Sequence, residues 1–272
     1  MEVQRRNSRA YQSPLGSVPG SEAEKLLAFF DGATDGLLVD GNKTSFYQDA
    51  GRATEVASGG QEILGCYDIS AALRSGAARH GVGLTTTAPT FKTDGTLEKM
   101  TFVTGDYLDF AGAVVNSSRT VVMALNTTGG DSRRCFMSAF DTGNPAGQSY
   151  SALTLERNSS GYLATTIGST TVEHTGAVLP ENTDVVISMT YDRDGTGDVA
   201  LRIDGVEVAT GNVATPSTAG GSGGVRLFSH RALTGRQTAG DLSFAALAFR
   251  NVSGTELTDI EAIAAARQGR TL

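Results

Sequence analysis

The chain has 272 residues, of which 34 are Gly and 19% are charged, and it contains no Trp. Its 22 Lys and Arg against 29 Asp and Glu give a net charge of -7, which argues against a nucleic-acid partner because phosphates repel an acidic protein. No apolar run is long enough to cross a bilayer, and no apolar signal region follows the first residues, so we expect neither membrane insertion nor export.

The first segment, Met1 to Gly20, is polar and carries Arg5, Arg6 and Arg9. It has almost no apolar periodicity and cannot bury a core of its own, so we predict an N-terminal arm. Basic residues on an otherwise acidic chain indicate that this arm docks on an acidic partner. A terminal tail without a role is the alternative.

A short helix follows the arm. Ser21 and Glu24 have the spacing of a capping box, and residues 26 to 30 supply an apolar stripe. We expect this stripe to pack on the chain's own domain, with a partner surface as the alternative. We therefore divide the chain into an attachment segment, 1–40, and one β-sandwich domain, 41–272.

From about Thr120 onward, apolar and polar residues alternate as they do in strands. The clearest run, 185–191, ends in an acidic Gly-rich turn, and a second run, 199–203, leads through Asp204-Gly205 into a third strand. Weaker runs lie at 120–125, 136–140, 152–156, 162–167, 225–228 and 242–249, and an amphipathic helix runs from Thr255 to about Gly269. Short strands separated by turn residues predict an all-β fold, an antiparallel β-sandwich of the jelly-roll type.

The stretch from Asp184 to Val208 resembles the central hairpins of laminin-G-like domains in the concanavalin-A-like superfamily, and the strand and helix after Asp241 are similar to the way such domains end. Short motifs upstream resemble the opening of laminin-G-like proteins of tailed phages and prophages: Phe46, Tyr47, Gln48, Asp49 and Gly51; Ile63, Leu64 and Asp68; Ala88, Pro89 and Thr90; Gly105, Asp106, Tyr107 and Leu108. The resemblance spans residues 45–267 and implies fold more strongly than function.

Reactive groups are sparse. Glycosidases of this superfamily need two carboxylates that flank the sugar bond, but Glu173, Glu181 and Asp184 surround a Pro-containing loop and are typical of turns. None of the three histidines lies in a nucleophile elbow, and Cys66 and Cys135 fit neither a disulfide framework nor a metal cluster. We therefore expect no enzymatic activity, no cofactor and two free thiols.

A calcium loop is the remaining metal hypothesis. Asp192, Asp194 and Asp198 partly match such a loop, but Ile203 stands where a bidentate Glu is required. An ordinary hairpin turn explains the same residues. The laminin-G-like resemblance leaves a calcium ion at the rim open, and we assign no metal.

Long, polar, Gly-rich loops connect several predicted strands and are candidates for recognition. Sugar binding needs planar polar groups and an aromatic ring. The loops supply them through Arg134, Asp141, Tyr150, His230 and Arg236. The alternative for each residue is a solvated side chain without a ligand.

These features together favour a virion structural protein, a fibre, spike or head-decoration component of a tailed phage or phage-derived particle. The arm would bind other virion proteins, the sandwich would contact bacterial surface polysaccharide, and the chain would be one of several copies in a particle assembled in the bacterial cytoplasm. The alternatives are a stand-alone carbohydrate-binding module or lectin and, with less support, a polysaccharide hydrolase.

Overall fold

Short β-branched and apolar runs form strands throughout the computed structural model of the protein. The structure describes residues 21–33, 35–41, 46–48, 52–70, 80–83, 87–111, 117–128, 133–140, 151–168, 170–213, 224–230 and 235–272. The helices in these ranges are α1 (Glu22–Phe30) and α2 (Gly254–Ala266). The strands are β1 (Gly36–Asp40), β2 (Phe46–Tyr47), β3 (Gly65–Tyr67), β4 (His80–Val82), β5 (Thr90–Asp94), β6 (Leu97–Phe102), β7 (Leu108–Phe110), β8 (Arg119–Thr127), β9 (Arg134–Phe140), β10 (Ser151–Arg157), β11 (Leu163–Gly168), β12 (Thr170–Glu173), β13 (Asp184–Tyr191), β14 (Asp198–Ile203), β15 (Val206–Asn212), β16 (Val225–Leu227) and β17 (Gly240–Ala248).

The strands form two antiparallel sheets. Sheet A has the order β15-β14-β13-β8-β17-β6-β5, and β1 also pairs with β17. Sheet B has the order β12-β11-β10-β9-β16-β7-β4-β3-β2. The predicted antiparallel β-sandwich is therefore confirmed.

The inner faces of the two sheets enclose the main core. Large side chains from both sheets, such as Phe102, Phe110 and Leu247, are at most 1% exposed there. Phe228, which follows β16, stacks on Phe102 with ring centroids 4.2 Å apart. Alternation along each strand therefore leaves one face of each sheet turned away from this core.

The two helices cover the outer face of sheet A. Phe29 and Phe30 of α1 and Ile260 of α2 pack on Val122 and Phe244 in a second apolar cluster. This confirms that α1 packs on its own domain. Neither helix of the described residues is long and apolar enough to span a membrane.

The start of α1 differs from the capping-box prediction. Ser21 occupies the N-cap position, but its hydroxyl makes no capping hydrogen bond to the first turn. The carbonyl of Ser21 instead accepts a hydrogen bond from the amide of Lys25 at 3.2 Å. The helix start was thus located correctly, whereas the capping role of the Ser21 hydroxyl is wrong.

Strand β1 lies on the N-terminal side of the boundary expected at residue 41. All its residues are buried, because one face of the strand meets the core between the sheets and the other meets the helices. Asp40, at its end, accepts hydrogen bonds from Nε of Arg267 at 2.8 and 2.9 Å. The described part of the packed unit therefore includes α1 and β1, which lie before residue 41.

The predicted hairpins β13–β14 and β14–β15 are present. Asp204 and Gly205 have φ values of 47° and 77°, the left-handed pair that a tight two-residue turn requires. The prediction of three successive antiparallel strands is therefore confirmed.

Both cysteines are free thiols inside the protein. Cys66 and Cys135 are 0% exposed and are not bonded to each other. Burial raises the pKa of Cys66 to about 12, and burial also raises the pKa of Cys135. Both sulfurs therefore stay protonated and are shielded from reagents.

Candidate functional site

The outer face of sheet B carries a row of polar side chains across five neighbouring strands. Thr166 pairs with Thr154, Thr154 with Ser138, Ser138 with Arg226, and Arg226 with Asp109. On β10, β9, β16 and β7 the flanking residues belong to the core between the sheets, so alternation directs this polar row outward.

Arg226 is held in place on this face by two contacts. Its Nε and Nη2 donate to the two carboxylate oxygens of Asp109 at 2.7 and 2.6 Å. Its guanidinium carbon lies 3.9 Å from the centre of the Tyr107 ring, a cation–π distance. The paired and stacked guanidinium is thereby oriented, and the side chain keeps 15% exposure.

A buried carboxylate lies beside the polar row, two residues along β10 from Thr154. Glu156 is 0% exposed, and its two oxygens accept hydrogen bonds from different arginines. Arg133, which immediately precedes β9, donates to Oε1, and Arg236, which lies between β16 and β17, donates to Oε2 at 3.5 Å. The side chains of these arginines are 33% and 21% exposed, so the acid lies beneath the two cations.

The segment after β16 brings His230 to the same arginines. Phe228 has a left-handed backbone with φ of 62°, and the chain then passes over the polar row, where Ser138 donates to the carbonyl of Ser229 at 3.0 Å. A left-handed non-Gly residue is a strained position that surrounding contacts must hold. Two contacts hold Phe228 in this conformation. Its ring stacks on Phe102, and its amide donates to the carbonyl of Phe136 at 2.8 Å.

Burial and neighbouring charges shift the pKa of His230. Burial, followed by the positive charges of Arg236, Arg133 and Arg226, lowers the pKa of His230 from 6.5 to about 4. The imidazole is consequently neutral at pH 7. The positive charges of three arginines thus act on one neutral ring in a chain whose net charge is -7.

The charges of this cluster do not cancel. Arg133, Arg226 and Arg236 contribute three positive charges, whereas Glu156 and Asp109 contribute two negative ones. Partly exposed guanidinium groups offer paired N–H donors that match a carboxylate. The arrangement is suited to an anion whose other groups form hydrogen bonds.

One hydroxyl of the polar row has no hydrogen-bond partner among the described residues. Thr154 is 1% exposed, and its Oγ1 is such an orphan. Buried hydroxyls in proteins are normally satisfied, so this one marks a polar position that is still able to bond.

Two of the five residues predicted to bind sugar lie near the buried carboxylate of Glu156. His230 and Arg236 lie in the cluster described above. Arg134 does not face Glu156, because its guanidinium donates to the backbone carbonyl of Thr128, and the adjacent Arg133 contacts the acid instead. Asp141 and Tyr150 lie outside the described residues, as do Arg5, Arg6 and Arg9.

Sequence reasoning missed Arg133, Glu156, Arg226, Asp109 and Tyr107. Arg226 and Asp109 are 117 positions apart in the chain, and only the strand order makes them neighbours. A single signal was available, namely charged residues on the polar side of alternating runs at β10 and β16.

The carboxylates considered for catalysis make separate surface contacts. Glu173 accepts from Nδ2 of Asn158, Glu181 pairs with Arg157 at 2.8 Å, and Asp184 accepts from Asn126 at 3.0 Å. Each of these acids therefore already has a partner. In the part of the chain that the structure describes, these three acids face three different partners and share no reaction centre.

The carboxylates considered for calcium also face different partners. Asp192 accepts from the amide of Gly195 at 3.1 Å, Asp194 pairs with Arg193, and Asp198 accepts from Asn212 at 2.9 Å. In the described ranges no three His, Cys, Asp or Glu residues form a metal-binding group. The hairpin-turn interpretation accounts for these contacts.

A groove of about 610 Å³ lies on sheet A, at the ends of β13, β14 and β15. Its charged lining residues are Asp192, Asp198 and Glu207, and Thr190 and Thr210 lie between them. This groove has the opposite charge to the arginine cluster of sheet B. The volume of this groove does not identify a ligand. The arginines of sheet B, in contrast, indicate an anionic one.

No family model matches the chain, and no curated protein sequence matches it. Among solved structures, the chain is similar to Trypanosoma rangeli sialidase in complex with sialic acid, with a TM-score of 0.53 and 11% identity over 88% of this chain and 36% of the sialidase. The same sialidase with the inhibitor DANA matches with a TM-score of 0.50 and 10% identity over 67% of this chain and 29% of the sialidase. These likenesses show the fold alone, and the chain spans about a third of the sialidase's length.

A carbohydrate-binding module is also similar to part of the chain. The CBM40 of Ruminococcus gnavus IT-sialidase, bound to α2,3 sialyllactose, matches with a TM-score of 0.44 and 16% identity. The match covers 53% of this chain and 82% of the module. Similarity at this level carries no functional argument.

Proposed function

We propose that this protein is a carbohydrate-binding domain that recognises an acidic sugar through the outer face of sheet B. The observation that carries the proposal is the pair of partly exposed guanidinium groups, those of Arg133 and Arg236, that contact the buried carboxylate of Glu156. A face with surplus positive charge on an acidic chain attracts an anionic ligand selectively.

The chemistry of the face fits a carboxylated sugar in two ways. The guanidinium groups of Arg133 and Arg236 are partly exposed and match a carboxylate. The polar row beside them includes Thr166, a partly exposed residue whose hydroxyl is of the kind that pairs with sugar hydroxyls. An anion without hydroxyl groups would use only the first part of this surface.

Sialic acid, named for the similar Trypanosoma rangeli sialidase, carries a carboxylate and is therefore a suitable first probe. The ligand class rests on the arginines and not on that similarity. Bacterial surface polysaccharides that contain uronic or sialic acids belong to the same class. We propose that binding occurs without hydrolysis, since Glu173, Glu181 and Asp184 each contact a different side chain.

The setting that we propose is a phage or phage-derived particle, on the basis of the laminin-G-like resemblance. In that setting the arm would bind other virion proteins and the sandwich would project towards a bacterial surface glycan. A stand-alone carbohydrate-binding module would use the same face. The sugar-binding proposal holds for either setting.

Titration calorimetry with 3′-sialyllactose, lactose and polygalacturonate tests the proposal. The wild-type protein should bind one or both acidic ligands and bind lactose more weakly. Arg133→Ala should weaken acidic-sugar binding about tenfold or more, because a hydrogen bond to a charged group contributes about 1.5–3 kcal/mol. Arg193→Ala, which removes an arginine from the β13–β14 turn, is the matched control and should bind as the wild type does. Equal affinity for acidic and neutral sugars would refute the proposal.

A further inference from the structure

Among the described residues, Glu156 is the carboxylate that contacts both partly exposed arginines of the cluster. Its side chain is 0% exposed, whereas those of Arg133 and Arg236 are 33% and 21% exposed. A ligand arriving from solvent therefore meets the guanidinium groups first. The carboxylate lies behind them.

The main chains of the two arginines are already fixed near β9. The carbonyl of Arg236 accepts from the amide of Cys135 at 3.2 Å, and Thr238 donates to the carbonyl of Cys135 at 2.9 Å. Arg133 is directly bonded in sequence to the first residue of β9. What remains free is the long side chain of each arginine, which has many rotamers unless a partner restrains it.

Glu156 provides that restraint for both side chains. Each oxygen holds a different guanidinium, so the width of one carboxylate sets the separation of the two cations. The cross-strand neighbours of Glu156 are Cys135 and Ala164, which carry no charge. Arg226 has its own acid, Asp109, and does not depend on Glu156.

We infer that Glu156 is a positioning residue that presets the spacing of Arg133 and Arg236 for the carboxylate of an acidic sugar. This inference rests on the proposed function. It adds a structural reason why the site would prefer a sugar with a carboxylate. Preorganised donors bind more tightly because the ordering cost is met in the free protein. Glu156 acts through the two arginines and does not touch the sugar.

The substitution Glu156→Gln separates positioning from simple charge attraction. It keeps the shape of the side chain and raises the net charge of the cluster by one. Attraction by charge alone predicts tighter binding of an anion to this variant. Positioning predicts about tenfold weaker binding of 3′-sialyllactose, because two arginine side chains must be ordered by the ligand.

The experiment compares 3′-sialyllactose with its methyl ester by titration calorimetry. The wild-type protein should bind the acid more tightly than the ester. In Glu156→Gln the ratio of the two affinities should fall towards one. A general loss of stability does not change this ratio. The matched control is Glu261→Gln, because Glu261 is 1% exposed and pairs with Arg202 at 2.8 Å on the other sheet. This control should lose stability and keep wild-type affinity.

Each result has a distinct meaning. Wild type that does not discriminate acid from ester overturns the proposed function together with the inference. Wild type that prefers the acid, with Glu156→Gln binding as tightly or more tightly, overturns the inference alone. If Glu156→Gln does not fold, Arg236→Lys decides, because it keeps the charge and removes the planar fork. About tenfold weaker binding then supports preset spacing, and unchanged binding overturns it.

Discussion

Replacing Asp40 by Leu tests whether β1 is part of the folded unit. Asp40 is 0% exposed on the helix-covered face of sheet A, and it is paired with Arg267 at the end of α2. Arg267 also donates to Glu22 in the first turn of α1. One guanidinium therefore connects β1, α1 and α2.

The size of the effect follows from the burial of this ion pair. Removing one partner of a buried pair costs about 3–5 kcal/mol, because the other charge is left uncompensated. Glu22 remains as a partner for Arg267 and its side chain is 35% exposed, so the lower end of about 3 kcal/mol applies. For a domain of this size, that corresponds to a fall in Tm of roughly 6–12 °C.

Thermal and urea unfolding, followed by circular dichroism, measure the loss. The double variant Asp40→Leu with Arg267→Met removes both charges together and should lie within about 1–2 kcal/mol of wild type, since an apolar replacement avoids the unpaired ion. A single Asp40→Leu variant as stable as wild type would refute the reasoning. It would show that β1 and α2 are not coupled through this pair.

Two further predictions concern buried titratable groups. Cys66 and Cys135 should resist alkylation in the native protein and react fully in denaturant, because both are buried and burial raises their pKa values; rapid labelling of either in native buffer would contradict this. His230 should reduce stability as pH falls from 6.5 towards about 4, since the unfolded chain takes up a proton there that the native ring does not. The pH dependence of urea unfolding should shrink in His230→Asn, and an unchanged slope would argue against a neutral ring.

Local sequence patterns predicted most of the long strands of the two sheets. The strand alternation at 185–191, the Asp204-Gly205 turn and the final helix depend on neighbouring residues, so they were readable from sequence. Strand β1 was not found, because its residues are buried on both faces and form a continuous apolar run without alternation. Its partner β17 lies about 200 positions later, a pairing that no local pattern specifies.

The candidate site was less predictable than the fold. His230 and Arg236 were chosen from loop composition, and the structure places both beside Glu156 or its arginines. The neighbouring residues Arg133 and Arg134 show the limit of that approach. They are adjacent in sequence, yet only Arg133 reaches the acid, since consecutive side chains near a strand start diverge.

The position of the site follows from the way the two sheets are covered. Helices α1 and α2 bury the outer face of sheet A, where small and apolar residues such as Val122, Ala124 and Ala246 accommodate them. The corresponding face of sheet B carries Arg226 and Asp109 in its polar row, and charged side chains disfavour burial beneath an apolar helix. The same burial logic gives the outer face of sheet A a structural role, and our proposal places recognition on sheet B. Replacing Arg133, whose side chain is 33% exposed, by Ala should remove part of the charge that we propose attracts a ligand, while leaving the helix-covered face unchanged.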